Sequence, residues 1–206
     1  MAGLRPWAIV PLVMISVLCT PSVLLGGKKK MNTNKKVVLV IASDNFRDEE
    51  LINTQKELEK KGIKTIIASS KLTESHGVMG IKNVKPEILI SKININDYDG
   101  IAFIGGIGAK EYWNDPTAHK LAKDAYAKGK IVAAICIAPV ILANAGLLEG
   151  KHFNVWLSEI ETIKAKGGLH SSQPVVIDGN IITGNGPDAA AEFGQKIAEK
   201  VLSIKK

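Results

Sequence analysis

Cys136 closes a short apolar, β-branched run, Ile131-Val132-Ala133-Ala134-Ile135, and stands just before helix formers that extend from Val140 to Leu148. A thiol at such a junction sits at the C-terminal tip of a buried strand and before a helix N-terminus. Strand tips are where open α/β sheets bind ligands, and a helix N-terminus favours the thiolate form. Small residues flank the thiol at Ala134 and Ala138, as a sharp strand-to-helix turn requires. As a residue type, free cysteine is equally at home as a small core hydrophobe. The position is what argues for chemistry.

Three further residues could complete a site. Glu50 lies in Phe46-Arg47-Asp48-Glu49-Glu50-Leu51, at the start of an amphipathic stretch. Its carboxyl would orient the sulfur when protonated and oppose the thiolate when ionised. The competing role is helix-dipole compensation, shared with Asp48 and Glu49. Gly105-Gly106 ends another apolar run, and the N–H of Gly106 with that of Ile137 would form an oxyanion hole. A glycine pair also serves any tight turn needing positive φ. Cysteine hydrolases usually pair the thiol with histidine, but His76, His119, His152 and His170 all fall on segments that read as surface.

The elements that must position these residues follow from periodicity. Residues 36–42, 64–68, 100–104 and 131–135 are continuous apolar runs, the mark of strands buried on both faces. Residues 46–61, 109–128 (with a break near Pro116), 138–145, 159–166 and 187–204 read as helices. Residues 82–95 hold short edge strands or a small hairpin, and 153–157 reads as another strand. Residues 174–177 and 180–183 flank Asp178-Gly179, a hairpin signal. Strands alternating with helices predict an α/β domain, a doubly wound, mostly parallel sheet flanked by helices. The loops after the first strand, after Ile104 and after Ile135 then converge at one rim of the sheet.

Composition narrows the partners. The net charge is +7, but residues 1–36 hold six of the 27 basic residues and no acidic one. The remainder, 21 basic against 20 acidic groups, is nearly neutral and lacks the basic bias of a nucleic-acid binder. Two cysteines, Cys19 and Cys136, do not make a disulfide framework. No cofactor or metal site is expected. Residues 1–36 read as an apolar leader and basic linker, and 37–206 as the domain. Residues 8–25 are uncharged and apolar, between the length of a signal-peptide core and that of a membrane span. Lys28-Lys29-Lys30 follows, which opposes export. Signal peptide, membrane anchor with membrane contact through residues 8–25, and translation from Met31, leaving a cytoplasmic domain, all stay open.

Residues 36–204 resemble the ThiJ/PfpI superfamily, which includes PfpI-type intracellular proteases and Parkinson-associated protein deglycases. The resemblance is carried by F-R-D-E-E-L (46–51), I-A-F-I-G-G (101–106), A-A-I-C-I-A-P (133–139), L-A-N-A-G-L-L-E-G-K (142–151) and D-G-N-I-I-T-G-N-G-P (178–187). It implies a flavodoxin-like fold, a homodimer or higher homo-oligomer, and a reactive cysteine at a nucleophile elbow. By position Cys136 matches that cysteine, Glu50 its hydrogen-bonding glutamate and Gly106 the oxyanion-hole glycine. The family's histidine is absent from both of its places, which here hold Ile137 and Trp156. Peptidase chemistry is therefore disfavoured. The resemblance implies attack on a small electrophilic carbonyl, or on a protein modified by one, of the glyoxalase or deglycase type. The alternative is a non-catalytic stress or redox-sensing protein with an oxidisable Cys136.

Overall fold

The computed structural model describes Gly3 and residues 33–204. The leader and the membrane contact expected at 8–25 lie outside the described residues. Among the described residues no helix is long and apolar enough to cross a membrane.

The strands are β1 (Lys36–Val40), β2 (Lys64–Ser69), β3 (Ser75–His76), β4 (Asn83–Val84), β5 (Ile88–Leu89), β6 (Gly100–Phe103), β7 (Ile131–Ile135), β8 (His152–Phe153), β9 (Leu169–His170), β10 (Val175–Asp178) and β11 (Ile181–Gly184). The helices are α1 (Asp48–Lys60), α2 (Pro116–Ala127), α3 (Pro139–Asn144), α4 (Ile160–Lys164) and α5 (Ala190–Ser203). Seven strands form one sheet in the order β10-β11-β7-β6-β1-β2-β5. Every neighbouring pair in it is parallel except β10 with β11. This is the flavodoxin-like α/β fold.

Burial explains why the inner strands lack alternation. All five residues of β7 are buried, as are four of the five in β1. Helices cover both faces, so apart from Lys36 at the start of β1 no residue of these two strands is exposed. Helices α1 and α5 pack against each other, and Gly194 lets the α5 backbone approach Thr54 closely.

Three expectations shift. The predicted 109–128 helix divides into a 3-10 turn at Ile107–Tyr112 and α2, because Asp115 caps the Ala118 N–H at 2.6 Å and Pro116 opens the new helix. The predicted strand 153–157 stops at Phe153. Beyond it the Trp156 N–H turns away to the Cys136 carbonyl at 2.8 Å, leaving the ladder. The hairpin turn is Gly179-Asn180, one residue later than expected, since Asp178 belongs to β10 and accepts the His152 N–H at 2.9 Å.

The chain leaves β1 outward to β2 and β5, then returns to β6 on the other side of β1. The sheet's topological switch point therefore lies between β1 and β6. In open α/β sheets ligands bind outside the carboxyl ends of the strands at such a point.

Candidate active site

Cys136 has φ of 62°, in the left-handed region that non-glycine residues seldom occupy. Asn45 is the other such residue among those described, at 59°, and it lies on the facing rim loop. The elbow is held from both sides. The Cys136 N–H donates to Gly184 O at 2.9 Å, and its carbonyl accepts from Trp156 N. One residue on, the Ile137 carbonyl accepts from the Trp113 indole Nε1 at 3.2 Å. These bonds over-determine a conformation that would otherwise relax.

The loop after β6 crosses the loop after β1 at backbone contact distance. Arg47 N–H donates to Gly105 O at 3.0 Å and Gly108 N–H donates to Asn45 O at 3.1 Å. A Cβ on Gly105 would stand 2.5 Å from the Cys136 Cβ and 2.7 Å from Glu50 Oε2. A Cβ on Gly106, whose φ is 93°, would stand 2.4 Å from the Asn45 carbonyl oxygen. Both glycines are required for close approach, so here the crowded rim replaces the simple-turn explanation.

Glu50 is fully buried. Its Oε2 accepts the Gly105 N–H at 2.9 Å, while Oε1 is buried without a nitrogen or oxygen partner. The Cys136 thiol is the polar side chain set against that carboxyl. Burial pushes the Glu50 pKa up to about 7, against smaller lowering effects from the thiol and the Gly105 amide. Glu50 is therefore not a simple dipole residue. Asp48 likewise reaches away from its helix, accepting the N–H groups of Met79, Ile81 and Lys82 and so pinning the 77–82 loop.

Cys136 is only 8% exposed. Burial first, and the Glu50 charge second, push its thiol up to about 12. The depression expected from the helix N-terminus is overridden, for α3 is one short turn and a half. The backbone amides of Gly106 and Ile137 act in the opposite sense, hydrogen-bonding toward the sulfur and favouring its anion. The arrangement thus accepts one negative charge and resists two. It also brings Cys136, Glu50, Gly106 and Ile137 together from three distant segments.

The histidines divide. His76 and His152 are exposed and pair with Asp44 and Asp178. His119 Nε2 bonds the Trp113 carbonyl at 2.8 Å. His170 is exposed and lines a cavity of about 290 Å³ together with Trp156, Asn154, Gly186 and Pro187, and none of Cys136, Glu50, Gly106 or Ile137 lines it. The bracing indole of Trp113 was not legible as part of the site, because its bond to Ile137 joins segments far apart in the chain. Among the described residues no group of His, Cys, Asp or Glu is arranged to hold a metal ion.

A model described as the DJ-1/PfpI family matches residues 35–200. The chain is 38% identical over 196 residues to an uncharacterised protein of Methanocaldococcus jannaschii, covering 94% of each. It is 28% identical over 153 residues to a protein named deglycase PfpI of Pyrococcus furiosus, covering 73% of this chain and 90% of that one. The crystal structure of a ThiJ/PfpI domain protein from Brachyspira murdochii superposes with a TM-score of 0.81 at 30% identity, covering 85% of this chain and 100% of that one.

Proposed function

This chain belongs to the DJ-1/PfpI family, and from that premise we propose that Cys136 is the nucleophile in a reaction on small electrophilic carbonyls, of the deglycase type for which several relatives are named. The observation that carries the proposal is the strained elbow. A cysteine held at φ of 62°, where glycine would be relaxed, keeps a side chain at a position that disfavours one.

The chemistry follows from the charge constraint. The Glu50 carboxylate takes the thiol proton as sulfur attacks the carbonyl carbon. Negative charge moves to the carbonyl oxygen, where the N–H groups of Gly106 and Ile137 stabilise it. Glu50 then returns the proton to that oxygen, giving a hemithioacetal. At no stage do thiolate and carboxylate coexist. With its pKa raised to about 7, Glu50 is suited to both directions of transfer near neutral pH. Peptide-bond cleavage is not proposed, because Ile137 and Trp156 occupy the two places where the family resemblance implies a histidine.

The test is methylglyoxal consumption by the full-length protein beside Cys136→Ala. Loss of at least about 100-fold is expected for removal of a nucleophile. Undiminished turnover by the alanine variant would overturn the assignment.

A further inference from the structure

We propose that Asn185 is a site of spontaneous covalent modification: its side-chain amide is lost through a cyclic imide with Gly186, and the isoaspartyl product loosens the turn that holds Cys136. The change needs no turnover at Cys136. Asn185-Gly186 is the one Asn-Gly pair among the 206 residues. A following glycine leaves its N–H open to the side chain, because no Cβ stands beside it. Asp99-Gly100 and Asp178-Gly179 have the same form, but there the structure ties the side chain down. Asp99 accepts the Lys35 ammonium at 3.1 Å and the Lys36 N–H at 2.9 Å. Asp178 accepts the His152 N–H at 2.9 Å and the Lys151 ammonium at 3.0 Å, and these bonds hold its carboxyl below the usual range. A carboxylate held in that way is a poor electrophile. Asn185 differs. It is half-buried, and among the described residues no protein group bonds its side-chain amide or the Gly186 N–H. Both residues line the 290 Å³ cavity, which is open to water.

The fold keeps the reactive pair in place. Gly186 has φ of 156° and ψ of −167°, a region essentially restricted to glycine. A Cβ there would also meet the Trp156 ring at 2.9 Å. The same packing carries the modification to the elbow. Gly184 O, one residue before Asn185, accepts the Cys136 N–H at 2.9 Å, and Trp156, lying on Gly186, donates its N–H to the Cys136 carbonyl at 2.8 Å. Asn185-Gly186 therefore sits between two of the bonds that keep Cys136 at φ of 62°. An isoaspartyl link adds one carbon to the main chain at this point. On one side the Asn185 N–H is anchored to Pro174 O, and on the other the Gly186 carbonyl accepts the Ala189 N–H, each at 3.0 Å. The displacement falls on Gly186 and on the indole above it. A new carboxylate also enters a cavity that already holds the exposed Asp188, and the two repel.

The steps balance with water as the only co-reactant. The Gly186 nitrogen loses its proton to solvent and attacks Asn185 Cγ, forming a C–N bond. The bond from Cγ to the side-chain nitrogen breaks, and that nitrogen takes up a proton and leaves as ammonia. One water then opens the cyclic imide. Addition at the main-chain carbonyl carbon breaks its bond to the Gly186 nitrogen and leaves the chain running through Cγ, which is isoaspartate. Addition at Cγ restores the ordinary main chain and leaves aspartate. No atom is oxidised or reduced.

The experiment ages the full-length folded protein for days in mildly alkaline buffer, wild type beside Asn185→Gln and Asn185→Asp. Peptide mass spectrometry locates the acid, and an isoaspartyl methyltransferase with labelled S-adenosylmethionine counts the isoaspartate. Conversion at residue 185 of wild type should exceed that at Asp99 and Asp178 by at least about tenfold, because only there are both reacting groups unheld. Asn185→Gln, whose longer side chain closes the ring poorly, should stay intact. Iodoacetamide should alkylate Cys136 at least about threefold faster in aged than in fresh wild type, and thermal unfolding should come roughly 3 °C lower. Aged Asn185→Gln should match its fresh sample. Asn185→Asp carries the charge without the added carbon and should alkylate at the fresh wild-type rate. An amide still intact at residue 185, or aspartate there without isoaspartate, would overturn the cyclic-imide site. Isoaspartate with no change in alkylation, or a fresh Asn185→Asp that alkylates as fast as the aged wild type, would overturn the coupling of that link to the elbow.

Discussion

Two turns of this protein share one backbone angle and have opposite surroundings. Gly179, between β10 and β11, has φ of 62°, and a Cβ there would meet nothing within 4 Å. Cys136, between β7 and α3, has the same φ of 62° but is buried, with Gly105, Glu50 and Trp156 packed around it. At the hairpin glycine removes the strain. At the elbow the strain persists, because three hydrogen bonds to the flanking backbone hold it. Positive φ alone therefore says little, whereas positive φ with a retained reactive side chain and converging polar groups marks a site.

The comparison can be broken most severely at its supporting loop. Gly106→Ala would place a Cβ 2.4 Å from the Asn45 carbonyl oxygen at a φ of 93°. A loss of about 3 kcal/mol in denaturant unfolding is expected, with turnover falling at least as far as that of the thiol's other neighbours. A wild-type midpoint and activity would mean that the two rim loops separate freely.

Glu50→Gln sharpens the electrostatic half. The Glu50 pKa is raised in the folded protein, so its protonated form is the one the fold favours. That contribution is complete below about pH 4.5, the ordinary value for a glutamate, and fades as pH rises toward about 7. Glutamine is neutral throughout and loses nothing over that window. The stability of Glu50→Gln relative to wild type should thus rise from pH 4.5 to 7 and stay level above it, by at most about 3 kcal/mol. Melting curves across that range measure it, and a flat difference would mean that Glu50 is not held in a dry site. With the neighbouring charge gone, the Cys136 thiol should also alkylate faster at pH 8 even as turnover falls.

The smallest effect tests the angle itself. Cys136→Gly should be more stable than Cys136→Ala by about 1 kcal/mol, reversing the usual order for a buried position, and Gly179→Ala should lose about 1 kcal/mol. Equal stability of the two Cys136 variants would mean that the elbow relaxes when its side chain is shortened.

Much of this was legible in the chain. Runs such as residues 36–42 and 131–135 lack alternation, so their burial on both faces and the parallel sheet could be read directly. Cys136 and Gly106 stood out because each follows the end of such a run, Glu50 because it opens an amphipathic stretch at the same rim, and Ile137 because its N–H follows the thiol. The end of β8 was misread because the Trp156 N–H is claimed by Cys136, twenty residues away, and no local pattern records that bond. His170 is exposed, as its segment reads, but its bond to Asn154, sixteen residues earlier, leaves no local pattern either.

By itself the sequence determined which residues could react and that sheet topology would gather them at one rim, because strand burial and helix alternation are local properties of composition. Only the tertiary structure decided their protonation and strain. Desolvation of Glu50, the crossing of the two rim loops and the bonds that hold Cys136 at positive φ depend on how closely distant segments approach, and that closeness is set by packing.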